Sequence, residues 1–269
     1  VTPVALEGFK TPLLNKYPGA AAAYSLRRLK SWDDGKRVVE VRRSSDSTTQ
    51  GFTASQITNG DLVAFCGAGD GFVSTWYDQS GNANDAVQAT TTAQPKIVDA
   101  GALVVGGLDF DGVDDFLEVA SVTLTQRYYS FSVSLTDLPS SSQGIWSIGD
   151  NTSSTVESSS LYRGDDGFSI NSGATLTSAP SNTYSAATTY LKSSDYNSAS
   201  SEVFVNGVSV AAGSAGAVNP SGKLFIGSFF VPAQLPLNGR ISEIIIYDSN
   251  QSANRAGIEA NINDHYSIY

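Results

Sequence analysis

The sequence predicts an all-β sandwich of two antiparallel sheets, a single domain over residues 1–269 closed by a short C-terminal helix. In YYSFSVSL, Tyr129, Phe131, Val133 and Leu135 alternate with Ser130, Ser132 and Ser134. That is the two-residue period of a strand with one packed face and one face in water. Asn206-Gly207 breaks EVFVNGVSV into two β-prone runs. This dipeptide is the strongest short hairpin signal, because both central residues of the turn take positive φ. RISEIIIYD is nearly continuous in apolar residues and reads as a central strand. A chain of 269 residues that is 41% hydrophobic is long enough to bury one sizeable core.

Residues 1–20 are read as an N-terminal arm. YPGAAAAYSLRRL is helical by propensity and strand-like by context, and both readings stay open. VVEVRR is a strand that places Arg42 and Arg43 on opposite faces, so one of them is a candidate to turn inward and pair with Asp78. STWYDQSGNAND is an Asx-rich turn in which Asp78 and Asn82 cap backbone amides and Gly81 supplies positive φ, with Trp76 pointing inward and Tyr77 outward. From Ser140 to Ser201 short apolar insertions in serine-rich sequence indicate short strands with long turns. KLFIGSFF is a further strand. Ile258, Ile262 and Tyr266 at four-residue spacing, with Ser252 as N-cap, define a helix packed on the outside of the sheets.

Composition narrows the chemistry. One cysteine, Cys66, and one histidine, His265, exclude an internal disulfide and a zinc cluster. Cys66 reads as a small buried hydrophobe and His265 as a surface or capping residue. A formal net charge of −10 argues against nucleic acid as a partner. No apolar run approaches the ~20 residues of a membrane span, so a soluble protein without a membrane partner is expected.

EVFVNGVSV, LFIGS and LNGRISEIIIYDSNQS resemble the closing strands of the concanavalin A-like lectin/glucanase jelly roll, in its laminin-G-like branch, and LDFDGVDDFLEV resembles an opening strand and acidic turn of the same fold. AAAAYSLRRL, VVEVRRSSDSTTQGF and STWYDQSGNANDAVQ resemble the N-terminal part of the fungal α-L-arabinofuranosidase B catalytic domain. The Trp-Tyr-Asp-Gln-Ser-Gly-Asn form, with IEANINDHYSIY at the C-terminus, is also similar to structural proteins of tailed bacteriophages, cyanophages included. This last similarity covers nearly the whole chain. It implies a non-catalytic virion protein, a capsid decoration or tail appendage at the virion surface. Its partners would be other virion proteins, copies of itself in a homo-oligomer such as a trimer, and host surface glycans. The apolar FFVPAQLPL, residues 229–237, is the candidate contact patch.

The arabinofuranosidase resemblance implies the alternative, a glycoside hydrolase acting on arabinose-containing polysaccharide. Such an enzyme needs two carboxyl groups, about 5 to 5.5 Å apart in a retaining enzyme and wider in an inverting one. The family's acidic-Glu-Asn-Gly nucleophile stretch has only RGDDGFSI as a counterpart, its late acid/base Asp has no counterpart in LFIGSFFVPAQLPLNG, and its adjacent cysteine pair is missing. The carboxylates left as catalytic candidates are Asp165, Asp166 and Asp150. Trp146, Tyr162 and Tyr196 are candidates to stack on sugar rings. No cofactor is expected, with Ca²⁺ the one exception. Asp78, Asn82 and Asp85, joined by Asn84, and Asp111 and Asp114, beside Asp109 and Asp115, offer hard oxygen ligands but lack the fixed spacing of a calcium hand.

Overall fold

A computed structural model describes residues 11–31, 35–137, 141–149, 156–164, 167–178, 184–229 and 234–269. Helix α1 (Leu13–Lys16) leads into strand β1 (Ala20–Ser25), so YPGAAAAYSLRRL resolves as strand. There follow β2 (Val39–Arg43), β3 (Thr49–Phe52), α2 (Ala54–Thr58), α3 (Asp61–Cys66), β4 (Gly71–Trp76), β5 (Ala86–Val87), β6 (Lys96–Asp99), β7 (Ala102–Leu103), β8 (Leu108–Asp111) and β9 (Leu117–Thr123). The second half carries β10 (Arg127–Thr136), β11 (Gln143–Gly149), β12 (Val156–Arg163), β13 (Gly167–Asn171), β14 (Thr175–Thr177), β15 (Tyr190–Asn197), β16 (Ser201–Val205), β17 (Val208–Gly213), β18 (Ser221–Ile226), β19 (Asn238–Tyr247) and α4 (Arg255–Tyr266).

The apolar run RISEIIIYD is central, as its composition predicts. β19 pairs along one edge with β10, and along the other with β8 at Asn238 to Ile241 and with β1 at Glu243 to Tyr247. From β10 the ladder continues through β15 and β16 to β17. From β8 it runs through β6 and β4, then by way of β5, β9, β18, β11, β12 and β13 to β14. The pairings are antiparallel and form one large network rather than the two separate sheets expected. The reason is the two-residue β5, which pairs with β4 at Thr75 and Trp76 and with β9 through Val87 and Glu118, and so joins the ladder from β9 to β14 to the rest.

Tyr129, Phe131 and Val133 pack with Ile245 and Tyr247 beneath Ile258 and Ile262 of α4, on the outside of the sheet as the helical spacing predicts. Leu13 and Leu14 join the same cluster, so the described part of the N-terminal segment is packed rather than a free arm. At the start of α4, Asn254 rather than Ser252 occupies the N-cap position, and it makes no side-chain cap. Asn206 and Gly207 have φ of 50° and 79°, the hairpin geometry expected.

The serine face of β10 departs from expectation. Ser130, Ser132 and Ser134 are buried, because β12 and β13 close over them. Tyrosines and serines knit the layers: Tyr128 hydroxyl bonds Ser158, Ser134 Oγ and Tyr162 hydroxyl lie 2.9 Å apart, and Tyr196 hydroxyl donates to the Ser159 carbonyl at 2.9 Å. Tyr128 and Tyr196 stack with ring centroids 4.2 Å apart. Alternation marks a strand here, but serine is small enough for its face to pack between layers, bridged by tyrosine hydroxyls, while Ser159, Ser160, Ser193 and Ser194 Oγ stay buried without a partner.

The turn after β4 grips β1. Asp78 Oδ1 accepts from the amides of Ala23 at 2.9 Å and Ser80 at 2.8 Å, and Oδ2 accepts from Ser80 Oγ at 2.6 Å and the Asn84 amide at 3.1 Å. Gln79, also buried, donates to the carbonyls of Ser25 and Arg27 and accepts from the Leu29 amide. Asn82 and Asn84 donate to carbonyls of Ala20 and Ala21 instead of capping amides. Gly81 takes φ of 101°, as the turn reading requires. Asp78→Asn turns one acceptor into a donor facing donors, so chemical denaturation should show a loss of about 2–4 kcal/mol. An unchanged midpoint would remove the clamp from the account of stability.

Candidate functional site

The grip on β1 fixes the strand's continuation, Leu26 to Leu29, as one wall of a long groove. Its largest cavity, about 590 Å³, is lined by Leu26, Ile57, Val104, Val105, His265 and Tyr266 among others. Across Arg28, Ala54 and Ser55 it meets a cavity of about 290 Å³ that also takes in Lys36, Arg37 and Asp78. A third, about 390 Å³, shares Lys36, Arg37 and Asp78 and adds Tyr77 and Asp85. These volumes fall in the range of small-molecule sites.

A buried ion pair holds the far wall in place. Arg27 donates from Nε to Glu243 Oε2 at 2.7 Å and from Nη2 to Oε1 at 2.9 Å, while Ser25 Oγ and Tyr266 hydroxyl donate to Oε2 at 2.8 and 3.1 Å. Arg27 also reaches Asn261 Oδ1 at 3.0 Å, which ties α4 and its exposed His265 to the groove. Burial, with the Glu243 charge beside it, pushes the Tyr266 hydroxyl well above the ordinary tyrosine range. The described carboxylates near the groove are thus engaged: Glu243 by Arg27, and Asp78 and Asp85 by backbone amides. What the groove can do chemically is bind, through apolar walls at one end and cations at the other.

A second cluster lies at the turn between β8 and β9. Carboxylate oxygens of Asp111, Asp114 and Asp115 come within 4.8 Å of one another. Asp111 Oδ1 accepts from the amides of Val113 at 2.8 Å and Asp114 at 3.4 Å, and Asp115 Oδ2 accepts from the Asp111 amide at 3.1 Å. Gly112, at φ of 76°, lets the turn close. The trio supplies hard oxygen donors of the kind Ca²⁺ takes. Burial pushes the Asp115 carboxyl up to about 7, with the charges of Asp111, Asp114 and Asp109 adding to the rise.

Of the site residues expected from sequence, Asp111 and Asp114 come together, with Asp115 as the buried third. Asp78, Asn82 and Asp85 are drawn to backbone: Asp78 accepts from the Ala23 amide, Asn82 donates to the Ala20 carbonyl, and Asp85 Oδ1 accepts from the Asp78 amide. Asp109 pairs with Arg240 at 3.0 Å. Trp146, Tyr162 and Tyr196 are core residues with no face open to a sugar, because the serine-lined layers enclose them. Asp165, Asp166 and Asp150 lie outside the described residues, as do 230–233 of the apolar patch. Neither Arg42 nor Arg43 meets Asp78: Arg42 bonds Gln94 and Arg43 pairs with Asp46 at 2.6 Å, nearer partners on their own side of β2. Trp76 is buried and Tyr77 half-exposed, the split expected of adjacent strand residues, and Cys66 is buried. Motifs and their spacing miss the cations of the groove. Arg27, Arg28, Lys36 and Arg37 line it, and they fall with Lys30 in residues 27–37, a charged stretch that also holds Asp33 and Asp34.

No family model matches the chain, and no curated protein matches it. The fold is nevertheless a known one, a largely antiparallel β domain found in glycoside hydrolases. A crystal structure of an arabinofuranosidase complexed with arabinofuranosyl-α-1,2-xylobiose is similar over 90% of this chain, with a TM-score of 0.63 and 14% identity. A GH54 α-L-arabinofuranosidase soaked with a cyclic sulfate inhibitor is similar over the same share at 0.62 and 14%. The chain spans 62% of the length of each. Trypanosoma rangeli sialidase in complex with sialic acid is similar over 70% of this chain and 31% of its own, at 0.51 and 14%. These likenesses overturn the reading as a concanavalin A-like phage virion protein: the folds matched belong to glycoside hydrolases, and the whole-chain phage similarity rests on short motifs such as the Asp78 turn, which builds the scaffold.

The pH response of the acidic turn is checkable. An unfolded aspartate loses its proton near 3.8, whereas Asp115 in the folded chain keeps it to about 7. Between those values the folded state binds more protons, so this residue's contribution to stability falls as pH rises through that window and is level above it. Asp115→Asn should therefore gain in melting temperature over the parent chain from pH 4 to pH 7, followed by calorimetry. A difference independent of pH would contradict the shift.

Proposed function

We propose that this chain handles carbohydrate as a glycoside hydrolase of α-L-arabinofuranosidase type, with arabinose-containing polysaccharide as its substrate class. The observation that carries the reading is the likeness over 90% of the chain to an arabinofuranosidase complexed with arabinofuranosyl-α-1,2-xylobiose. The AAAAYS and WYDQSG blocks support it, since in this chain they form β1 and the turn that clamps it. We also read the curled sheet as a sandwich, with β10 and β15 facing β12 and β13 across the serine-rich interior. The groove is the place for the polysaccharide, its apolar walls meeting sugar faces and its polar end meeting hydroxyls.

The reaction needs one carboxyl to protonate the leaving glycosidic oxygen and a second to attack the anomeric carbon or activate water. Asp165, Asp166 and Asp150 are the residues proposed for these roles. This pair would differ from the arabinofuranosidase pattern, which has a Glu where this chain has RGDDG.

The test is release of nitrophenol from 4-nitrophenyl α-L-arabinofuranoside, and of arabinose from arabinoxylan, by the purified chain. Activity is expected, with a fall on the order of 10²–10⁴-fold in at least one of Asp165→Asn, Asp166→Asn and Asp150→Asn at unchanged melting temperature. A folded chain that releases no sugar would overturn the reading.

A further inference from the structure

We propose that Lys192 stands in the interior as an uncharged amine, and that it makes the closure of β12 and β13 over the serine face of β10 and β15 sensitive to acid.

The placement of the side chain carries it. Lys192 is in register with Ser132 of β10 and Val205 of β16, and it is 1% exposed. It crosses to the facing layer, where Nζ donates to the carbonyls of Ser169 at 3.0 Å and Leu161 at 3.3 Å. Those two residues lie opposite each other in the β12–β13 ladder, so a single amine ties both strands. The Phe168 ring completes the surroundings, its centroid 5.1 Å from Nζ.

What these surroundings lack is an anion. Among the described residues the contacts of Nζ are two carbonyls and a ring, with no carboxylate. On β15 and β16, Asp195 and Glu202 pair with each other in register and alternate onto the opposite face, where Asp195 meets Arg127. The titratable groups of the enclosed face are phenols. Tyr128 of β10 bonds Ser158, Tyr162 of β12 lies against Ser134, and Tyr196 of β15 donates to the Ser159 carbonyl. Burial raises all three above the ordinary tyrosine range, so they stay neutral. Tyr190 accepts from the Ser185 amide, Tyr184 donates to the Arg163 carbonyl, and Arg163 reaches the Ser178 carbonyl.

A neutral amine brings two N–H groups to two carbonyls, whereas an ammonium brings a third and a full charge. The ring face attracts a cation, but that gain is small beside the cost of holding an unpaired charge away from water. Burial accordingly lowers the Lys192 pKa well below the ordinary lysine value of 10.5. Below 10.5 the unfolded chain holds a proton that the folded chain lacks, so this residue's contribution to stability falls as pH falls. The fall ends where the folded amine is itself protonated, and there the ammonium gains water only by parting the layers. Asp115 acts in the opposite sense over its own window, so the two are separated by substitution.

The experiment is NMR of the full chain carrying isotope-labelled lysine, with Lys192→Met assigning the signal, and calorimetry of both chains between pH 9 and pH 5. At pH 8 Lys192 should show the chemical shift of a neutral amine, where exposed lysines are ammonium. Met fills similar space without charge, so its lead in melting temperature should widen by about 3–5 °C for each pH unit lost, until the folded amine is protonated. At the acid end, backbone amides of β12 and β13 should exchange faster in the parent than in the variant. A Lys192 signal that titrates near 10.5 would overturn the proposal, as would a melting difference equal at every pH. Acid loosening of β12 and β13 that is equal in both chains would also overturn it, because carboxylates elsewhere would then be the cause. Should the variant fail to fold, the parent's signal, assigned through its contact with the Phe168 ring, decides alone.

Discussion

Without the grip of the Asp78–Gln79 turn on β1, neither the first edge of the sheet nor the groove beside it would hold. β1 is an alanine-rich strand with one partner, β19. Methyl side chains bury little area, so propensity and packing alone hold such a strand weakly. The turn supplies the second edge: side chains of Asp78, Gln79, Asn82 and Asn84 take up amides and carbonyls from Ala20 to Leu29 that a neighbouring strand would otherwise pair. An unpaired backbone group away from water costs on the order of 1–3 kcal/mol, which makes this set of bonds a condition of folding rather than decoration. It also fixes the bent segment beyond β1 that brings Arg27 and Arg28 to the groove.

The interior shows a second constraint. Serines of β10, β12 and β15 face one another between the layers, where most β domains place valine and leucine. Small side chains bring the layers close, and the tyrosines then bridge them by hydroxyl contacts and stacking. Lys192 lies in the same interior, donating to the carbonyls of Ser169 at 3.0 Å and Leu161 at 3.3 Å with its ammonium over the Phe168 ring. Burial there lowers its pKa well below the ordinary lysine value. Hydrogen bonding there is incomplete, since Ser159, Ser160, Ser193 and Ser194 Oγ are buried without a partner, so the layers are held by close packing and by the tyrosine bridges.

Charge is segregated on this molecule. The β8–β9 turn gathers three carboxylates, and burial together with their mutual repulsion keeps Asp115 protonated to near neutrality. The described carboxylates beside the groove turn instead towards backbone or towards Arg27.

Local features were legible in the amino-acid order alone. The Asn206-Gly207 hairpin, the centrality of β19, the Asx turn with its positive φ at Gly81, the packing side of α4 and the inward Trp76 with outward Tyr77 all follow from period, turn chemistry and composition acting over a few residues. Folding in three dimensions settled whatever depends on partners distant in the chain. Whether Ser130, Ser132 and Ser134 meet water is set by β12 and β13 closing over them, and the same enclosure removes Trp146, Tyr162 and Tyr196 from reach of a sugar. That Asp78 grips β1 is set by the Ala23 amide, more than fifty residues away. The charged run at 27–37 was visible in the sequence, but a run of charges usually marks a solvated face. It becomes a cavity only when β2, β4 and α2 surround it, and long-range packing of this kind is written in no local pattern.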